Sequence, residues 1–127
     1  MGKNKQLQEQ PDRSRALACT PIRNPEVEEQ QISGGILLRY PVEIKPWFQS
    51  IFKRLSNRDS NIIMRRLELD ALGSSVWEMV DGRQTVAEIA EQFRIDHQLG
   101  TREAELSVTG FLKDLGKRSL IAMKEGD

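Results

Sequence analysis

Val76-Trp77-Glu78-Met79-Val80-Asp81-Gly82-Arg83-Gln84-Thr85-Val86-Ala87-Glu88-Ile89-Ala90 is the stretch that decides the fold. Its middle, Asp81-Gly82, stops one helix, because glycine takes the left-handed conformation that follows a helix end without a steric penalty. Thr85 and Glu88 then form a capping box, each side chain satisfying a backbone N–H that a helix start leaves without a partner. Upstream, a first helix is expected over 71–80, with Asp70 as its N-cap and Leu72, Val76, Met79 and Val80 as its buried stripe, Trp77 beside them. Downstream, Val86, Ile89, Ala90 and Phe93 recur at helical spacing and predict a second helix over 86–94. After a connector from Ile95 to Gly100, Thr101 is expected to cap a third helix over 102–117, whose stripe is Val108, Phe111, Leu112 and Leu115. Three short helices joined by tight turns are the trihelical core common to helix-turn-helix proteins. Leu120 to Met123 reads as a short closing strand or wing.

Ahead of this core the pattern changes from helical spacing to strand signals. Strands are expected over about 26–32, 36–40 and 62–69. Ser33-Gly34-Gly35 supplies a turn between the first two, and Pro41 is expected to end the second. On the third strand, Ile63, Leu67 and Leu69 share one face and Ile62 and Met64 the other, since side chains alternate along a strand. Between the second and third strands lies an amphipathic segment: Phe48, Ile51, Phe52 and Leu55 make one stripe, and Pro46 suits a first helical position. An inserted helix is expected over 46–55. The fold class is therefore α+β, a winged helix-turn-helix-like trihelical core preceded by a small antiparallel β-sheet, with an inserted amphipathic helix.

Residues 1–20 are expected as a disordered tail and 21–124 as one folded domain. The first 18 residues are rich in Gln, Lys, Arg and Glu, with too little apolar surface to offset the entropy of ordering and no apolar region of the signal-peptide kind. Residues 19–25 carry two prolines and read as extended. Lys plus Arg and Asp plus Glu number 19 each, so bulk charge favours neither nucleic acid nor a membrane. No apolar run approaches the roughly 18–20 residues that span a bilayer. The single cysteine, Cys19, excludes an internal disulfide and fits a cytoplasmic setting.

The stretch from Leu67 to Met123 resembles the PqqD-like family, the peptide-binding modules also called RiPP recognition elements. The resemblance rests on Leu67-Glu68-Leu69, on Val76 through Gly82, on Thr85 through Ala90, and on Val108, Phe111, Leu112, Leu115, Leu120 and Ile121. It implies three antiparallel strands before three helices. It implies a non-catalytic role: the module captures the leader of a precursor peptide as an added strand, in a groove between the third strand and the third helix. A partner enzyme, often of the radical SAM kind, then modifies the peptide to make a peptide-derived product or cofactor. On this reading the peptide-binding residues are Ile62, Met64 and Arg66 on the strand, with Leu106, Thr109, Gly110 and Lys113 on the helix. An exposed strand edge provides affinity through backbone hydrogen bonds, and apolar neighbours provide specificity. The chain departs from the family pattern at residues 41–61, where the family has a short turn.

Other function classes fit the residues less well. A helix-turn-helix DNA reader would place the first turn of the third helix in the major groove, but that turn holds Glu103 and Glu105, which phosphates repel. The basic zone lies elsewhere, at Lys45, Lys53, Arg54, Arg58, Arg65 and Arg66; such a run is usually a solvated face, and it equally suits an acidic leader peptide or a phosphate backbone. A structural adaptor or homodimer would bury the aromatic helix and the strand edge against a partner. An enzyme has the least support. His97 beside Asp96 is an exposed neighbour pair in the connector, Cys19 is distant, and no phosphate loop, dinucleotide turn, metalloprotease histidine pair or radical SAM cysteine cluster is present. No catalytic residue, metal ligand or cofactor is expected.

Overall fold

The computed structural model describes residues 13–43 and 62–126 of the 127-residue chain. The elements run β1 (Thr20–Arg23), β2 (Glu28–Ile32), β3 (Gly35–Glu43), β4 (Ile62–Leu69), α1 (Ala71–Met79), α2 (Val86–His97), α3 (Thr101–Lys117) and β5 (Ile121–Lys124). This is a mixed α/β architecture with two antiparallel sheets, one in the order β2-β3-β4 and one pairing β1 with β5. Among the described residues, 25–43 with 62–70 form one compact unit, and 13–24 with 71–126 form another. The segment 46–55, expected as an inserted helix, lies outside the described residues.

In the 25–70 unit, β2 and β3 make a hairpin that turns through Gly34, whose φ of 84° is in the left-handed region that favours glycine. Alternation then assigns the faces. Ile36, Leu38, Tyr40 and Leu69 share one face and are buried, with Ile63 and Leu67 half-buried beside them. The opposite face carries buried Leu37 and a set of exposed residues: Arg39, Ile62, Met64, Arg66 and Glu68. β4 spans the residues expected of it, whereas β2 starts at Glu28. β3 corrects the expected stop at Pro41, because it continues to Glu43. The reason is the pairing: β2 ends its ladder at Glu28 opposite Arg39. Beyond that point only β4 flanks β3 among the described residues. On the β2 side nothing described there calls for a backbone donor, so a proline is tolerated.

In the helical unit, α1 buries Gly73, Ser74, Val76 and Trp77, and Val80 just past its end is buried too. Leu72, expected in this stripe, is instead exposed. The helix turns so that Trp77, the largest apolar side chain available, is only 1% exposed, and burying an indole removes more apolar area from water than burying a leucine. Gly82 follows with φ 78°, as the Asp81-Gly82 signal requires.

The capping box at α2 is present in both directions: Thr85 Oγ1 accepts from the Glu88 N–H at 3.1 Å, and Glu88 Oε1 accepts from the Thr85 N–H at 2.9 Å. Val86, Ile89, Ala90 and Phe93 form its buried face. α2 runs three residues beyond 94, to His97, and ends on Gln98 in the left-handed conformation with φ 54°. α3 corrects the cap expected at Thr101. Its N-cap is Gly100 without a side-chain hydrogen bond, and Thr101 is the first helical residue. Its buried face is Ala104, Val108, Leu112 and Leu115, with Phe111 half-buried.

The described part of the expected tail is ordered. Residues 13–18 are helical, and Arg13 forms an ion pair with Glu105 on α3. Cys19 C=O accepts from the Val86 N–H at 2.8 Å, satisfying a donor at the start of α2. β1 then pairs with β5, Pro21 opposite Met123 and Ile22 opposite Ala122. The partners that order this segment lie far along the chain, so its own composition carries no trace of them. Arg23 shows the same dependence. Its guanidinium sits 4.7 Å from the Trp77 ring centroid and donates to Trp77 C=O at 2.6 Å, combining a cation–π contact with a charge-assisted hydrogen bond.

Candidate functional site

Among the described residues β4 is an edge strand, and it differs from the other edge of its sheet. β2 is five residues long, mostly exposed and polar, the usual protection of a sheet edge. β4 is eight residues long, and no described strand pairs with its outer side. Ile62 and Met64, two residues apart and therefore on one face, are 53% and 55% exposed. Arg66 continues the same face and is exposed. The three strand residues singled out from the sequence are thus brought together along one edge, with an apolar end and a cationic end.

The four helix residues lie on α3, in the other compact unit. Leu106 is 58% exposed, and Gly110 and Lys113 are exposed with it, at the i, i+4 and i+7 spacing that aligns them on one side of the helix. A Cβ built on Gly110 meets nothing within 4 Å, so no packing inside the chain requires a glycine there. Thr109 differs from the other three: it is half-buried, and its hydroxyl donates to the Glu105 C=O at 2.6 Å. That hydroxyl is bound up within the helix, leaving chiefly its methyl group as surface.

The sequence reading missed Arg39. In the β3–β4 register it stands directly opposite Arg66, and Glu28 stands opposite Arg39 from the β2 side. Only the strand register reveals this juxtaposition, because 27 positions separate the two arginines in the chain (66 − 39).

His97 needs a correction. It is half-buried and packs against Phe93, ring centroids 4.5 Å apart, with its Nε2 3.5 Å from Ser75 Oγ. Asp96 does not serve it: that carboxylate accepts from Gln92 Nε2 at 2.8 Å. The serine hydroxyl donates to Leu72 C=O at 2.7 Å, so this contact reads as packing at the end of α2. Among the described residues no group of three or more His, Cys, Asp or Glu side chains is placed to hold a metal ion. Nor is any described helix long and apolar enough to cross a membrane. A shallow hollow of about 420 Å³ in the helical unit is lined by Ile22, Arg23, Glu78, Val80, Asp81 and Gly82. Asp81 is held below the usual carboxylate range, first by the Gln84 backbone N–H and then by that of Arg83. Both donate to its Oδ1, at 3.0 and 2.8 Å.

An antiparallel three-stranded sheet followed by three helices places the chain among small mixed α/β domains. The family model for coenzyme PQQ synthesis protein D (PqqD) matches residues 55–121, more than half of the 127-residue chain. The chain belongs to the PqqD family. Two solved structures share its fold. TbiB1 in complex with the TbiA(beta) leader peptide superposes with a TM-score of 0.56 at 17% identity, covering 79% of this chain and 93% of that one. The PqqD truncation of Methylobacterium extorquens PqqCD, described as a functional and stand-alone RiPP recognition element, gives a TM-score of 0.52 at 18% identity, covering 80% and 87%. No curated protein matches the chain significantly.

Proposed function

We propose that this protein is a non-catalytic recognition element that captures the leader of a precursor peptide by strand addition to β4 and presents it to a modifying enzyme. The observation that carries the reading is the β4 edge: eight residues, paired on one side among the described residues, with Ile62 and Met64 more than half exposed. A peptide laid along such an edge gains backbone hydrogen bonds, and the exposed side chains select its sequence. Family membership and the likeness of fold to a leader-peptide complex support the same reading. Ile62, Met64 and Arg66 are the strand residues assigned to the peptide. Leu106, Gly110 and Lys113, with the Thr109 methyl, are assigned to it from α3. The helical part is read as winged helix-turn-helix-like and the setting as cytoplasmic. A radical SAM protein is one example of such a modifying enzyme, and the product is a peptide-derived compound or cofactor.

The test is fluorescence anisotropy with labelled peptides tiled across the short reading frames beside the gene, and a DNA duplex as control. Saturable binding of one leader segment, lost in Met64→Asp, supports the reading. Binding of the duplex with no response to any peptide overturns it.

A further inference from the structure

We propose that the peptide strand received by β4 carries an acidic residue opposite Arg66, two positions away from an apolar residue opposite Met64. This deepens the strand-addition reading and rests on it. The β-sheet register arranges one face in rows across the strands. One row is Glu28, Arg39, Arg66 and then the outer side of β4; the next is Pro41, Met64 and that same side; a third is Glu43 and Ile62. Like charges directly opposite on neighbouring strands repel, and Arg39 and Arg66 are such a pair. Arg39 has Glu28 opposite on its other side, whereas beyond Arg66 no described strand continues the row. Both arginines are exposed, and neither is ion-paired among the described residues. A carboxylate on an added strand would complete the row as minus, plus, plus, minus, with a guanidinium geometry suited to bidentate contact.

Because side chains on a strand repeat every second residue, the spacing of two holds whether the peptide runs parallel or antiparallel to β4. Arginines can also guard an edge against aggregation. That role alone does not account for Ile62 and Met64, which leave the same face of the same edge apolar. A nucleic acid phosphate would satisfy the arginines but find no use for that apolar neighbour.

The experiment uses the full chain and a displayed library of nine-residue strand-forming peptides, sorted against the wild type, R66E and R66Q, each checked by circular dichroism. The wild-type pool should be enriched in Asp or Glu two positions from an aliphatic or aromatic residue. In a selected binder, Asp→Asn should weaken binding roughly three- to tenfold at low salt and less at high salt. R66E should reverse the preference to Lys or Arg, and R66Q should abolish the charge preference while keeping the apolar one. Peptides that bind the wild type with no acidic enrichment, or an acidic preference unchanged in R66E, overturn the proposal and leave strand addition standing. Self-association of R66Q with an unchanged peptide preference would assign the arginines to edge protection and overturn it too. A library that yields no wild-type binder takes down strand addition and this proposal together.

Discussion

Met64 stands directly across the β3–β4 ladder from Pro41 and is 55% exposed. A large unbranched apolar side chain held open beside a proline contributes little to the core. Its removal therefore tests binding separately from folding. Met64→Asp should retain the fold, with a stability change within about 1 kcal/mol, while leader capture falls at least roughly tenfold. Leu106→Asp should behave likewise, because Leu106 is 58% exposed on α3. Chemical denaturation and anisotropy, measured on the same samples, check both. Unfolding of both variants would place these side chains in the core and remove them from the site.

Gly110 offers a readout that moves in two directions. It lies inside α3 with open space where a Cβ would project. Gly110→Ala should stabilise the fold by about 0.4–1 kcal/mol, because alanine loses less backbone entropy in a helix. If the peptide approaches the helix there, the added methyl should at the same time weaken capture. Higher stability with unchanged affinity would leave Gly110 out of the site.

Thr85 and Glu88 cap α2 reciprocally. Thr85→Ala removes the side-chain acceptor of the Glu88 N–H and should cost about 1 kcal/mol, whereas Thr85→Ser should cost a few tenths. Urea unfolding curves decide it: a shift in midpoint with an unchanged slope is the expected result.

Asp81 fixes the sign of one pH effect. The Gln84 and Arg83 backbone N–H groups hold its carboxyl below the ordinary value. A depressed folded-state pKa contributes stability that is present above the unfolded-state value and is lost as pH falls through the folded one. Asp81→Ala should therefore lie closer to the wild type in stability at acid pH than at neutral pH. Carboxyl chemical shifts followed by NMR should show Asp81 titrating below an unstructured aspartate. A gap between variant and wild type that widens on acidification would contradict the assignment.

What was legible in the sequence was local. Asp81-Gly82 and the Thr85–Glu88 box mark the turn between α1 and α2 because the residues that cap a helix lie within a few positions of its end. β4 announced itself through Ile62 to Leu69, and alternation separated Ile63 and Leu67 from Ile62 and Met64. What was not legible depends on distant partners. The pairing of Ile22 with Ala122 and the contact of Arg13 with Glu105 lie about a hundred residues apart. The rotation of α1 that exposes Leu72 follows from where Trp77 finds room. The opposition of Arg39 and Arg66 exists only once β3 and β4 are in register. Of the candidate site, the strand residues were readable from their alternation, and the charge row beside them was not.

The central claim, that a leader peptide adds to β4, is tested most directly by a two-dimensional NMR titration of the labelled full chain with a leader segment, a DNA duplex serving as control. Strand addition predicts shifts concentrated in Ile63–Glu68, with slowed amide exchange in that strand, together with shifts near Leu106 and Gly110. Silence of β4 with every peptide, and salt-sensitive shifts with the duplex at Arg65 and Arg66, would contradict the account.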